Sequence, residues 1–105
     1  MAFLEVHANP NPASKMAIPL LLEVQADLLS ALESRVVVPL YRKDAAPRYA
    51  IARLTPILEF QGQPYVAMVP ELAGLARRSL GTCLGNMPSA RAEIIAALDL
   101  LFTGI

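Results

Sequence analysis

Short runs of aliphatic and β-branched residues, separated by turns that contain proline or glycine, occupy most of the chain before residue 71. This pattern predicts β-strands, and the run "RVVVPLY" is the clearest of them because β-branched side chains suit a pleated surface. Between the last two runs, Gln61-Gly62 is typical of a hairpin turn, since glycine readily adopts positive φ. The predicted strands span residues 3–7, about 16–25, 35–41, 53–60 and 64–70.

The segment 90–102 predicts a helix because it contains no glycine or proline and is rich in alanine, leucine and isoleucine. Pro88 and Ser89 suit its start, and Gly104 suits the C′ position just past its end. Apolar residues at spacings of three and four predict a broad apolar stripe, wider than one small barrel needs to cover: Ile94, Ile95, Leu98, Leu101 and Phe102. Within this stripe, Ile95 and Leu98 are expected to be buried. Small and polar residues, which suit either a solvated face or the close approach of a partner, fill the other side: Ala92, Ala96, Asp99 and Thr103.

Residues 71–87 give a weaker pattern because three glycines interrupt them, and we expect a turn of helix and an irregular strand there. Strands first and one helix last predict a mainly β fold with a C-terminal α-helix, in the form of a small, curved, barrel-like antiparallel domain. The length of 105 residues is enough for one domain with its own core, so residues 1–105 are interpreted as a single domain.

The composition of the chain indicates that part of its surface contacts another chain. Hydrophobic residues make up 55% of the chain, charged residues only 17%, and the mean hydropathy is +0.46, which is more apolar surface than a domain of this size easily buries. We therefore expect an oligomer. Nine basic residues balance nine acidic ones, so the chain lacks the positive field that non-specific nucleic-acid binding needs.

Location follows from three further features. The apolar runs are shorter than the ~20 residues of a membrane-spanning helix, so no membrane association is predicted. The N-terminus lacks the pattern of a secretory signal, and the single Cys83 cannot form an intrachain disulfide. These features predict a cytoplasmic protein.

Few side chains offer catalytic or metal-binding chemistry. His7 is the single histidine and has no neighbouring ligand in the sequence, so we expect an ordinary imidazole at the end of a strand. We expect Cys83 to be a buried structural thiol and the side chains of Arg77 and Arg78 to be solvated. The glycines of residues 71–87 match no phosphate-binding loop. No catalytic residue, cofactor or metal site is predicted.

Four segments, in the same order along the chain, resemble the CcdB family: "LLLEVQADLL" (20–29), "RVVVPLY" (35–41), "LTPILEFQGQPYVAMVPELAGLA" (54–76) and "IIAALDLLFTGI" (94–105). The resemblance implies a homodimeric SH3-like barrel of the CcdB/MazF type. It also implies a toxin of a type II toxin–antitoxin system, which binds the A subunit of DNA gyrase and traps its cleaved-DNA complex. Such a toxin is neutralised by a CcdA-like antitoxin, needs no cofactor and is not an enzyme.

The resemblance also implies which residues bind gyrase, because the chain ends of that family enter the gyrase A dimer. The implied gyrase-binding residues are Leu28, Leu29, Asp99, Phe102, Thr103, Gly104 and Ile105. The best-known members have tryptophan where this chain has Thr103. Because aromatic anchors commonly contribute ~2 kcal/mol or more to an interface, we expect weaker gyrase binding unless other contacts compensate.

Two alternatives stay open at this point. In the first, the chain is a CcdB-like protein that binds its antitoxin and operator complex but poisons gyrase poorly. In the second, it is an endoribonuclease of the MazF type, which shares the barrel fold. RNA cleavage needs converging arginine and hydroxyl groups and a basic groove, so the balanced charge and the "FTGI" end favour the gyrase-directed interpretation.

Overall fold

The computed structural model describes residues 3–26, 31–48 and 52–104. Within them lie seven strands, four 3-10 turns and one α-helix. The strands are β1 (Glu5–Ala8), β2 (Leu20–Glu23), β3 (Ser34–Arg42), β4 (Ile57–Phe60), β5 (Gln63–Ala67), β6 (Ala73–Ala76) and β7 (Cys83–Asn86). The 3-10 turns are Ala52–Leu54, Val69–Glu71, Arg77–Ser79 and Pro88–Ala90, and the helix is α1 (Arg91–Thr103).

The strands form one antiparallel sheet in the order β4-β5-β3-β2-β1-β7, with β6 as a second partner of β3. β3 is nine residues long and serves two partners on the edge away from β2. Arg35 lies opposite Leu75 of β6, and Leu40 lies opposite Ala67 of β5. Pro39 falls between these two pairings, a position that suits a residue without a backbone N–H.

The sheet curls into a half-barrel. The hairpin between β4 and β5 turns at Gln61 and Gly62, whose φ angles of 51° and 80° confirm the predicted turn. The side-chain nitrogen of Gln61 lies 3.5 Å from the carbonyl oxygen of Leu84 in β7. The two end strands of the sheet order, β4 and β7, therefore approach each other. The mainly β architecture with a C-terminal helix confirms the predicted fold class, and it is compatible with an SH3-like barrel.

The core lies between the concave face of the sheet and α1. Residues of β1, β2 and β3 alternate between this face and the outer one, and in β2 the residues of both faces are buried. The buried core consists of Leu4, Val6, Leu20, Leu22, Val38, Leu40, Leu58, Phe60, Ala67, Val69, Met87, Ala90, Ile94 and Ala97. Among the described residues, no helix is long and apolar enough to cross a membrane.

The strand predicted at about 16–25 is wrong in its first part, since β2 begins at Leu20. The preceding residues form turns that side-chain hydrogen bonds stabilise. The amide nitrogen of Asn9 donates to the carbonyl oxygen of Ile18 at 2.8 Å and lies 3.0 Å from the Ser14 hydroxyl. Asparagine side chains compete for backbone groups in this way, which explains why the chain does not enter the sheet earlier.

The buried face of α1 differs from the predicted one. Ile94 and Ala97 are completely buried, whereas Ile95 is 38% and Phe102 is 71% exposed. At about 100° per residue, Ile95 and Phe102 lie about 100° and 80° around the helix from Ile94, at the margin of the face that reaches the sheet. The small side chain of Ala97 completes that face on the other side. The prediction that Ile95 is buried was therefore wrong.

Candidate functional site

The C-terminal part of α1 is the candidate partner-binding surface. The start of the helix is fixed by the core contacts of Ile94 and by the guanidinium of Arg91, which lies 5.3 Å from the centroid of the Phe3 ring. After Ala97, burial decreases along the helix, and Phe102, Thr103 and Gly104 are all exposed. The helix is therefore anchored at its beginning and presents its end to solvent.

The last turn of α1 is closed by its own hydrogen bonds. The hydroxyl of Thr103 donates to the carbonyl oxygen of Asp99 at 2.6 Å, and the Gly104 N–H donates to the carbonyl oxygen of Leu100 at 3.0 Å. Gly104 adopts the left-handed conformation, with φ 76° and ψ 16°, which confirms its predicted role at the helix end. The Gly104 bond satisfies the Leu100 carbonyl, which is one of the four carbonyl groups that a helix end leaves open.

Two exposed apolar side chains lie along one edge of the helix. Ile95 and Phe102 are seven residues apart, which places them about 20° apart around the axis and two turns apart along it. Asp99 lies between them in sequence and is exposed. A ring that is 71% exposed gains free energy when a partner covers it, since burial of a Phe side chain contributes about 1.5–3 kcal/mol. The helix end therefore offers apolar contact rather than catalytic groups.

The predicted gyrase-binding residues fall into two groups. The structure brings Asp99, Phe102, Thr103 and Gly104 together in one exposed helical turn. The other three lie outside the described residues: Leu28, Leu29 and Ile105. Their part in the surface stays a prediction.

A second group of polar residues lies on the convex face of the sheet, and the sequence did not reveal it. The Nε2 atom of His7 is 3.2 Å from Oε1 of Glu23, and the Nε atom of Arg35 is 3.3 Å from Oε2 of the same carboxylate. The Arg35 guanidinium also donates to the backbone carbonyls of Leu32 and Ser34. The expectation that His7 has no partner group was wrong, because Glu23 is sixteen residues away in sequence but adjacent in the sheet.

The buried carboxylate is the electrostatic centre of this second group. Burial raises the pKa of the Glu23 carboxyl above its ordinary value, while the hydrogen bond from His7 and the charge of Arg35 oppose that rise. A charged residue within the run "LLLE" was the one local signal of such a site, because a strand buries a carboxylate only where it is paired.

The remaining candidates of the sequence lie at the surface. Cys83 is exposed, so the prediction of a buried thiol was wrong. All four residues of β7 are exposed because this strand ends the sheet order and has β1 as its strand partner in the described sheet. Arg77 and Arg78 are exposed, as predicted.

Comparison with known proteins yields one family and one fold. The family model described as CcdB protein matches residues 4–104, which is nearly the whole chain. No curated protein sequence matches significantly.

Among solved structures, the chain is similar to an endoribonuclease in complex with its cognate antitoxin from Mycobacterial species. The TM-score is 0.73 at 19% sequence identity, and the match covers 96% of this chain and 93% of the other. At this identity the likeness supports the fold, which the two proteins share over almost their full length.

Proposed function

Because this chain belongs to the CcdB family, whose members are toxins of toxin–antitoxin systems, we propose that it binds the DNA gyrase A subunit through the end of α1 and traps the cleaved-DNA complex. The observation that carries this proposal is the exposure of Phe102, a residue that is 71% accessible at the end of a helix whose beginning is anchored in the core. An apolar ring at a helix end is partly preorganised for a partner, because the helix has already fixed the backbone that carries it.

The same proposal includes the assembly and the antitoxin. The toxin acts in the cytoplasm as a homodimer, so that two helix ends engage the two-fold gyrase A dimer, and a CcdA-like antitoxin neutralises it. Exposed apolar residues beyond the helix supply surface for such contacts: Leu32, Ile57 and Leu84. Light scattering should give about twice 11.3 kDa. A monomer at micromolar concentration would contradict the dimer.

Action by binding, rather than by catalysis, is part of the proposal. The candidate surface at the helix end carries an aromatic ring, a hydroxyl that is bonded to its own helix and one carboxylate. This set offers no general base paired with a nucleophile, which acyl or phosphoryl transfer requires. The chemistry of the helix end therefore supports recognition of an apolar surface.

A DNA-cleavage assay tests the proposal. Purified toxin is incubated with gyrase, supercoiled plasmid and ATP, and the linear DNA released by detergent and protease is measured. We expect toxin-dependent double-strand breaks that disappear with Phe102→Ala. Met16→Ala is the matched control because Met16 is 70% exposed and lies in the loop before β2.

The two alternatives give different outcomes in parallel reactions. The endoribonuclease alternative draws on the fold shared with the Mycobacterial protein, and it predicts cleavage of RNA by the purified chain without gyrase. The regulatory alternative draws on Thr103 and predicts antitoxin binding without gyrase-dependent breaks. Equal activity of Phe102→Ala and wild type in the cleavage assay would contradict the role of the helix end.

A further inference from the structure

Three potential metal ligands meet on the convex face of the sheet, away from α1, and a fourth lies beside them. Glu5 and His7 are two residues apart in β1 and therefore point to the same side of the strand. Glu23 is opposite Glu5 on β2, one position beyond the pair Val6↔Leu22. One ligand atom from each of Glu5, His7 and Glu23 lies within 4.8 Å of the others.

The fourth residue comes from the other neighbour of β1. Cys83 of β7 is paired with His7 in the sheet register, and its Sγ atom lies 3.5 Å from Oε2 of Glu5. Three adjacent strands thus contribute two carboxylates, one imidazole and one thiol to a single patch. The patch is open to solvent at Cys83 and closed at Glu23, whose side chain is 2% exposed.

Two donor pairs have the spacing of a tetrahedral zinc site. Bonds of ~2.0 Å to nitrogen and oxygen at tetrahedral angles separate the two donor atoms by about 3.3 Å, and bonds of ~2.3 Å to sulfur and ~2.0 Å to oxygen separate those donors by about 3.5 Å. The observed separations are 3.2 Å for His7 Nε2 and Glu23 Oε1 and 3.5 Å for Cys83 Sγ and Glu5 Oε2. The Cys83 thiol lies outside the group of three mutually close donors, so its exposed side chain must turn toward the ion to complete the site.

The buried carboxylate supplies an independent observation. Glu23 is 1% exposed. Its Oε2 atom lies 3.3 Å from Nε of Arg35, with which it forms an ion pair, but it accepts no hydrogen bond from the described part of the chain. A buried carboxylate normally has its oxygen atoms fully bonded, because an unsatisfied one is costly. Oε2 of Glu23 therefore keeps lone-pair capacity for a cation beyond its ion pair with Arg35.

Charge balance also favours a divalent cation. With a neutral imidazole, the two carboxylates and the Arg35 guanidinium sum to one negative charge. A divalent ion together with the Cys83 thiolate brings that sum to zero. The donor set points to the kind of ion, since imidazole and thiolate ligands select zinc and similar transition metals over calcium and magnesium.

We propose that Glu5, His7, Glu23 and Cys83 form a binding site for a divalent transition-metal ion of the zinc type. The ion links β7 to β1 and β1 to β2, and it therefore stabilises the pairing of the exposed end strand β7 with the sheet. The site stands on the convex face and its ligands include none of the residues proposed to contact gyrase. The proposal is therefore independent of the toxin function.

Titration of zinc chloride into the metal-stripped full-length protein tests the site by calorimetry. We expect one ion per chain and an increase in melting temperature with added zinc. His7→Ala and Glu5→Gln should each weaken binding about tenfold or more, because each removes a ligand. Glu93→Gln is the matched control, since Glu93 is an exposed glutamate on α1, and it should bind zinc like wild type.

Cobalt(II) in place of zinc reports on the thiolate directly. We expect a thiolate-to-cobalt charge-transfer band in the near ultraviolet that Cys83→Ser abolishes. If His7→Ala fails to fold by circular dichroism, Glu5→Gln and Cys83→Ser decide the question, because both residues are at least partly exposed. Absence of saturable zinc binding, or affinity unchanged in Glu5→Gln and Cys83→Ser, would overturn the proposal.

Discussion

Arg35 and Glu23 form an ion pair on neighbouring strands, with Nε and Oε2 3.3 Å apart and both side chains more than nine-tenths buried. The pair lies on the convex face of the sheet, where Arg35 is further held by the backbone carbonyls of Leu32 and Ser34. A buried pair of this kind is most costly when one member is removed, because the other is left as an uncompensated charge.

Arg35→Met should therefore destabilise the fold by about 3 kcal/mol, since Glu23 loses the charge that offsets its burial. Urea denaturation followed by circular dichroism measures the free energy of unfolding. Arg42→Met is the matched control, because the pair of Arg42 with Asp44 has side chains that are 49% and 76% exposed. That variant should lose less than about 1 kcal/mol. Equal losses in both variants would contradict a structural role for the buried pair.

The helix offers a second matched pair in two consecutive isoleucines. Ile94 is completely buried and Ile95 is 38% exposed. Ile94→Ala should lower the free energy of unfolding by ~2–5 kcal/mol through lost burial and cavity formation. Ile95→Ala should cost about 1 kcal/mol or less, since much of its side chain already contacts water. Thermal and urea denaturation of the two variants compares them, and the reverse order would mean that the helix is rotated relative to the sheet.

Gly81 is a third test because the chain passes too close to another strand for a side chain. A Cβ atom at this position would lie 2.5 Å from the carbonyl oxygen of Ala8, to which the Gly81 N–H donates at 2.9 Å. Gly81→Ala should cost about 1–3 kcal/mol, since backbone must move to relieve the clash. Gly74→Ala should be nearly neutral, because a Cβ atom there meets nothing within 4 Å. Equal melting temperatures of the two variants would exclude the close approach.

Elements with local signals were predictable from the sequence. The hairpin turn at Gln61-Gly62 and the helix end at Gly104 both depend on positive φ, which glycine favours and a single position can reveal. The β-branched run of β3 was equally clear. The resemblance to the CcdB family, stated on four sequence segments, is confirmed by the match over residues 4–104.

Features that depend on register and helix rotation were not predictable. The buried part of the apolar stripe of α1 is narrower than the stripe itself, because Ile95 and Phe102 are apolar but lie at its exposed margin. The exposure of Cys83 follows from the position of β7 at the end of the sheet order, and a strand's place in a sheet leaves no mark in its own residues. The contact of His7 with Glu23 likewise arises from pairing of β1 with β2.

The last prediction concerns the helix end, and its first part is a deletion. Removing residues 103–105 eliminates the hydrogen bond of Thr103 with Asp99 and that of Gly104 with Leu100. Both are exposed, so the free energy of unfolding should fall by only about 1 kcal/mol. If the toxin function holds, the deletion abolishes gyrase-dependent DNA breaks while antitoxin binding persists, because the antitoxin is expected to cover a wider surface.

Thr103→Trp is the complementary gain-of-function variant. The threonine is small and its hydroxyl donates to the Asp99 carbonyl, whereas an indole at this exposed position adds an aromatic anchor beside Phe102. Anchors of this kind contribute ~2 kcal/mol or more, so the affinity for the gyrase A subunit should rise by more than about tenfold. Calorimetric titration of the gyrase A subunit with wild type, the deletion and Thr103→Trp measures the change, and Met16→Ala serves again as the exposed control. Unchanged affinity in both helix-end variants would exclude this end of α1 as the gyrase-binding surface, because a contact surface cannot lose three residues or gain an indole without a change in binding energy.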